Sequence, residues 1–90
     1  MTKEQYSEQI DTLIKKEKLK SLVLYNDDYH TFEYVIEALI HICKHKETQA
    51  VQCTYLVHYT GKSDVKSGTY NDLKPMKDQL ILRGLDATIE

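Results

Sequence analysis

The residues of this 90-residue chain best suited to chemistry are Asn26-Asp27-Asp28, which stand where the apolar run Ser21-Leu22-Val23-Leu24-Tyr25 ends. An amide and two carboxylates at a strand end offer acceptors that a core cannot satisfy, and such ends collect binding groups. The same residue types cap helices and make turns, so the cluster needs a second feature before it becomes a site. His58, which follows Val57 with Tyr55 and Tyr59 nearby, supplies one: an imidazole that either faces solvent or accepts a hydrogen bond. Metal chemistry has a weaker basis. His41 and His45 stand at i, i+4 with Cys43 between them, but there is no HExxH and no CxxC, and a zinc site would have to borrow Cys53 or His58 from elsewhere. Cys43 and Cys53 both fall on helix faces expected to be buried, where a thiol is inert, and they read as reduced small hydrophobes and not a disulfide. GxSxG, a phosphate loop and GxGxxG are all absent. These residues describe a binding module, not an enzyme, with no cofactor and no metal.

The elements that must position these groups are readable from periodicity. Ser21–Tyr25 is a buried strand that ends in the polar turn. Phe32, Val35, Ile36, Leu39, Ile40 and Cys43 form the i, i+3, i+4, i+7 stripe of a helix started by Asp28–Thr31 and ended by Lys44-His45-Lys46-Glu47. A second helix begins near Glu47 or Thr48, carries Ala50, Cys53, Thr54 and Val57 on one face, and stops at Gly61. Lys62–Tyr70 reads as a weak, exposed strand with a bulge or bend at Gly68. Leu73, Met76, Leu80 and Leu82 or Ile81 predict a short third helix capped by Asn71 or Asp72, with Pro75 in its first turn and Gly84 after it. Leu85–Glu90 alternates as a half-buried strand. The order is β-α-α-β-α-β, a small α+β domain with helices on one face of a three-stranded antiparallel sheet.

Composition narrows the functions. Twelve Lys+Arg against 14 Asp+Glu leave a net charge of -2, which gives no general attraction to nucleic acid or anionic membrane. With 41% hydrophobic and 29% charged residues the chain is apolar enough to fold alone as a single domain. Residues 1–20 are highly charged, with Ile10, Leu13 and Ile14 as their one apolar cluster, and read as a flexible extension ahead of a folded domain over 21–90. No run is apolar enough to span a membrane and the first residues lack a signal-peptide pattern, so a cytoplasmic monomer is expected.

Two segments together resemble a known family. Leu22–Leu39, LVLYNDDYHTFEYVIEAL, resembles the signature of ClpS, the adaptor that delivers N-end-rule substrates to a Clp AAA+ protease. Tyr55–Lys62 is similar to the Val-His-x-x-Gly-Lys stretch that ends the family's second helix, and the resemblance extends from Leu22 to Glu90. It implies that Asn26, Asp27 or Asp28, and His58 surround the free α-amino group of a substrate's first residue. An α-amine with a pKa of about 7.7–8.0 is mostly ammonium at neutral pH and offers three donors to such acceptors. It implies further that Leu24, His30, Phe32, Val35, Thr54, Val57 and Leu85 form an apolar pocket for a first Leu, Phe, Tyr or Trp side chain. Where the family usually has Thr-Pro-Met after Asn-Asp-Asp-Tyr, this chain has His30-Thr31-Phe32, and the stiffer Phe32 implies a narrower pocket that disfavours Trp. The stretch from Lys62 to Leu85 is several residues shorter than in typical members, and there Asp72 and Lys77 are candidates for docking the unfoldase N-domain. The alternative is a protein-docking domain of similar fold, like that of the ribosomal stalk protein, which would have no need of the polar cluster.

Overall fold

The computed structural model describes residues 18–90. Its elements are β1 (Lys20–Tyr25), α1 (Phe32–Cys43), α2 (Glu47–Thr60), β2 (Lys62–Gly68), α3 (Tyr70–Leu82) and β3 (Asp86–Ile89). The order is the one the periodicity predicts. The extension expected over residues 1–20 lies outside the described residues except for its last three, and of these Lys20 already opens β1.

β1 is the central strand of an antiparallel sheet with the order β2-β1-β3. Leu22 and Leu24 on β1 are fully buried against a cluster that includes Leu39 and Cys43 of α1, Ala50 and Val57 of α2, and Leu73 and Leu80 of α3. Each fully buried Leu contributes about 1.5–3 kcal/mol, so the central strand is held mainly by the face it turns to the helices. At its far end Ser21 and Glu90 exchange both backbone hydrogen bonds at 2.8 Å.

Helix starts differ from the expectation in an informative way. α1 is capped by Thr31, whose hydroxyl accepts the Tyr34 N–H at 3.1 Å, so Asp27 and Asp28 belong to the turn and not to the helix end. α3 is capped by Thr69, whose hydroxyl accepts the Asp72 N–H at 3.2 Å, not by Asn71 or Asp72. The helix therefore runs for 13 residues and is not short. Pro75 stands in its second turn, not its first, where the missing N–H leaves the Asn71 carbonyl without its helical partner. Leu73 and Leu80 are buried, but Ile81 and Leu82 are both exposed and do not extend the apolar stripe.

β2 is also less exposed than its sequence predicts, because Val65 is 3% exposed and part of the core. Leu22 pairs with Lys66 and Val23 with Asp64, which makes Val65 the extra residue of a bulge; the irregularity is here and not at Gly68. The Val65 carbonyl lies 2.5 Å from Nε2 of the buried His45, while His45 Nδ1 has no partner. A carbonyl accepts only from a protonated nitrogen, so the geometry assigns the proton to Nε2. His45 thus lies beyond α1, past the left-handed Lys44 at φ 60°, and is turned into the core. His41 remains on the outside of α1, 3.7 Å from Glu37, so the expected i, i+4 pair does not share a face. No group of three or more His, Cys, Asp or Glu side chains able to hold a metal occurs among the described residues. Burial pushes the Cys43 thiol up to about 11. None of the described helices is long and apolar enough to cross a membrane.

One loop contact decides where the functional residues meet. α2 ends at Gly61, with φ 94°, and the Gly61 carbonyl accepts the Asn26 N–H at 2.9 Å. The corner after β1 is thereby bonded to the end of the helix that carries His58. No atom lies within 4 Å of the place a Gly61 side chain would occupy, so Gly61→Ala is expected to cost only the backbone strain, about 1–2 kcal/mol in urea denaturation. His45→Ala, which leaves the bulge carbonyl unsatisfied, is expected to cost about 1–3 kcal/mol in the same measurement, and wild-type stability would contradict the latch.

Candidate functional site

A pocket of about 190 Å³ opens at the junction of the β1 end, the turn that follows it, the first turn of α1 and the last two turns of α2. All eleven residues that the sequence assigns to amine binding or to the apolar pocket line it: Leu24, Asn26, Asp27, Asp28, His30, Phe32, Val35, Thr54, Val57, His58 and Leu85. Tyr25 is the twelfth lining residue and was not expected. Its only signal in the sequence is its place immediately before Asn26 at the end of an apolar run.

Burial divides the lining into floor and rim. Leu24, Thr54, Val57 and Leu85 are buried and belong to the packed interior, with Val35 half-buried beside them. Asn26, Asp28 and His58 are exposed. Thr54 adds little polarity to the floor, because its hydroxyl donates to the Ala50 carbonyl at 2.8 Å. No Lys or Arg lines the cavity, so its fixed charge is that of two carboxylates.

The two carboxylates do different work. Asp27 Oδ1 accepts the backbone N–H of both Tyr29 and His30 at 2.9 Å, and Oδ2 meets the His30 Nδ1 at 2.9 Å. Burial pushes the Asp27 carboxyl up, but the hydrogen bonds from His30 and Tyr29 outweigh it and hold the group below its ordinary value. Asp27 is thus the brace of the turn. Asp28, one residue later, is exposed and makes no side-chain hydrogen bond with the described residues.

The rings around the pocket are held by one another. His30 stacks on Tyr34 with centroids 4.7 Å apart, and the Tyr34 hydroxyl donates to the Arg83 carbonyl at 2.7 Å. Gly84, at φ 82°, lets the chain pass His30: a side chain there would come within 3.4 Å of the imidazole Nε2. Phe32 meets Tyr55 and His58 edge to face, at 5.1 and 4.9 Å. Tyr34 and Gly84 position pocket residues without lining the pocket; Tyr34 was recoverable only as the i+4 neighbour of His30. Asp72 and Lys77 both lie on α3, where Lys77 is 3.8 Å from Asp78, and neither reaches the pocket.

An acidic rim over an apolar floor suits a ligand with a cationic end and a hydrophobic side chain. Residues 15–88 match the family model described as ATP-dependent Clp protease adaptor protein ClpS. The ATP-dependent Clp protease adapter protein ClpS of Neisseria meningitidis is 37% identical over 81 residues, which take in 83% of this chain and 79% of that one. The protein of the same name from Clostridium acetobutylicum is 44% identical over 48 residues, a match that spans 53% of this chain and about half, 48%, of that relative. Among solved structures, Agrobacterium tumefaciens ClpS2 bound to L-phenylalaninamide superposes with a TM-score of 0.71 at 25% identity, covering 82% of this chain and 96% of that one. Sequence and fold agree over the same residues, and the chain belongs to the ClpS family of Clp protease adaptors.

Proposed function

We propose that this chain binds the free α-amino group and bulky hydrophobic first side chain of N-degron substrates and delivers them to a Clp AAA+ unfoldase, without catalysing a step itself. The observation that carries this reading is the pocket, in which exposed Asn26, Asp28 and His58 stand above a floor of Leu24, Val57 and Leu85. An ammonium at the rim donates to the Asn26 amide oxygen, the Asp28 carboxylate and the His58 imidazole. Asp28 is the carboxylate in contact because Asp27 is occupied by the turn. The side chain below displaces water from apolar surface, worth about 1.5–3 kcal/mol for Leu or Phe, and with the charged hydrogen bonds this supports micromolar affinity. That a ClpS relative is solved with L-phenylalaninamide, an amino acid with a free amine and a blocked carboxyl, fits the same chemistry. Asp72 and Lys77, on α3 and clear of the pocket, are left to dock the unfoldase N-domain. A stalk-like docking domain would leave the acceptors at the rim without a purpose.

Fluorescence anisotropy with labelled peptides tests the reading. Peptides that begin with free Leu, Phe or Tyr are expected to bind, and acetyl-Leu and Glu peptides are not. Asp28→Ala and His58→Ala are each expected to weaken binding roughly ten- to hundredfold while leaving the unfolding midpoint in place. Binding of the acetylated peptide as tightly as the free one would sink the proposal.

Asp27 should behave differently from Asp28. Its carboxyl is held lower in the folded chain than the ordinary 3.8, so its contribution to stability is present above that value and is lost as pH falls through the lower folded value. Asp27→Asn is expected to flatten the acid limb of the stability curve and to reduce binding together with stability. If it impaired binding with an unchanged acid limb, Asp27 would be a ligand contact after all.

A further inference from the structure

α2 has a second apolar face. Ala50, Thr54 and Val57 face the core, while on the opposite side Val51, Gln52, Tyr55, Leu56 and Tyr59 line a shallow groove of about 430 Å³ without a charged residue. Tyr55, Leu56 and Tyr59 are 45%, 50% and 75% exposed, which is unusual for three large apolar side chains within five positions. The two tyrosine rings are parallel within 6° at a centroid separation of 5.9 Å, forming a short platform.

This groove is continuous with the mouth of the pocket. The Tyr55 ring meets the edge of Phe32, and the Tyr59 ring meets His58 at 5.0 Å, and both Phe32 and His58 are pocket residues. These contacts offer a substrate whose first side chain fills the pocket a path out along the rings. The eight helical steps from Val51 to Tyr59 rise about 12 Å along the helix axis, a length that three or four extended residues cover. Five lining residues fall far short of the roughly 20–30 a side of a stable protein–protein interface, so a short peptide fits the groove better than a folded partner.

We propose that the Val51–Tyr59 face of α2 binds the second and third residues of a substrate's N-terminus and selects apolar or aromatic side chains there. The proposal rests on the degron reading of the adjacent pocket. The face adds contacts of the aromatic–aromatic and aromatic–aliphatic kind, so the expected preference for Leu-Phe-Leu over Leu-Ser-Ser termini is roughly three- to tenfold in dissociation constant. Leu-Asp-Asp termini should fall below both, because a carboxylate gains no counter-charge in the groove and brings a desolvation cost.

The test compares four ligands, L-phenylalaninamide and peptides that begin Leu-Phe-Leu, Leu-Ser-Ser and Leu-Asp-Asp, on the wild type and on Leu56→Ser and Val51→Ser. Both side chains line the groove and lie outside the pocket lining and outside the ring contacts of Phe32 and His58, and L-phenylalaninamide, which has no second residue, reports that each variant is folded with an intact pocket. Support consists of graded affinity in the wild type, a preference lost in the variants, and unchanged binding of L-phenylalaninamide. Binding of L-phenylalaninamide with equal affinity for the three peptides overturns this proposal and leaves the degron reading standing. Failure of all four ligands to bind overturns both. A dimer in sedimentation that Leu56→Ser dissociates, with no second-residue preference in the wild type, assigns the face to a second copy and also overturns the proposal.

Discussion

The site depends on a backbone hydrogen bond that touches no ligand. Asn26 N–H donates to the carbonyl of Gly61, and this bond joins the last residue before the acidic turn to the residue that ends α2. Asn26 and His58 are 32 positions apart in sequence, and this bond ties together the ends of the two elements that carry them. The bond forms only because Gly61 takes a left-handed conformation, which reverses the chain after α2 and sends it into β2 beside β1. The sheet register then repeats the constraint, since Tyr25 pairs with Lys62 in the next position. The core supplies the stability, while this corner decides which side chains share the cavity.

Within the corner, adjacent residues of one type are divided between structure and binding. The N–H groups of the turn need acceptors of their own while Asn26 and Asp28 stay exposed, and Asp27 meets that need by taking two of them together with the His30 imidazole. His30 is fixed in turn by Tyr34, and Tyr34 by the Arg83 carbonyl, so the brace extends from the turn to the segment between α3 and β3. Gly84 adjoins the same device: the chain passes the His30 ring there in a left-handed conformation, φ 82°, that favours glycine. The outcome is a turn braced from within, on whose outer side Asn26 and Asp28 stay exposed.

Much of this was legible in the sequence, for physical reasons that also explain the rest. Period-3.6 stripes exposed α1 and α2 because each buries one face, and Gly61 was readable as a stop because left-handed residues after a helix favour glycine. The pocket residues came from the Asn-Asp-Asp-Tyr and Val-His segments, whose likeness to a family carries the three-dimensional juxtaposition that periodicity lacks. What escaped was set by single hydrogen bonds between distant elements. Thr69 capped α3 two residues early, and that lengthened the helix and moved Pro75 into its second turn. Val65 read as part of an exposed strand, because an isolated valine between Asp64 and Lys66 gives no sign that a bulge will turn it inward. His45 read as part of the polar run that ends α1 and as an i, i+4 partner for His41, yet its role is set by a carbonyl 20 positions away.

Phe32 ties the pocket to the outer face of α2. A methionine at the first position of α1 could change rotamer as a ligand entered, since a thioether with three torsions adapts at little cost. A phenyl ring has two, and here its edge contacts with Tyr55 and His58 oppose movement unless those rings move with it. Tyr55 is stacked on Tyr59, and Tyr59 also meets His58, so four rings form a closed set that includes a wall of the pocket, the histidine of its rim and the platform beyond it. Any movement of Phe32 must therefore disturb Tyr55 and His58 as well. The shape of the pocket is in this way set by α2 as much as by α1.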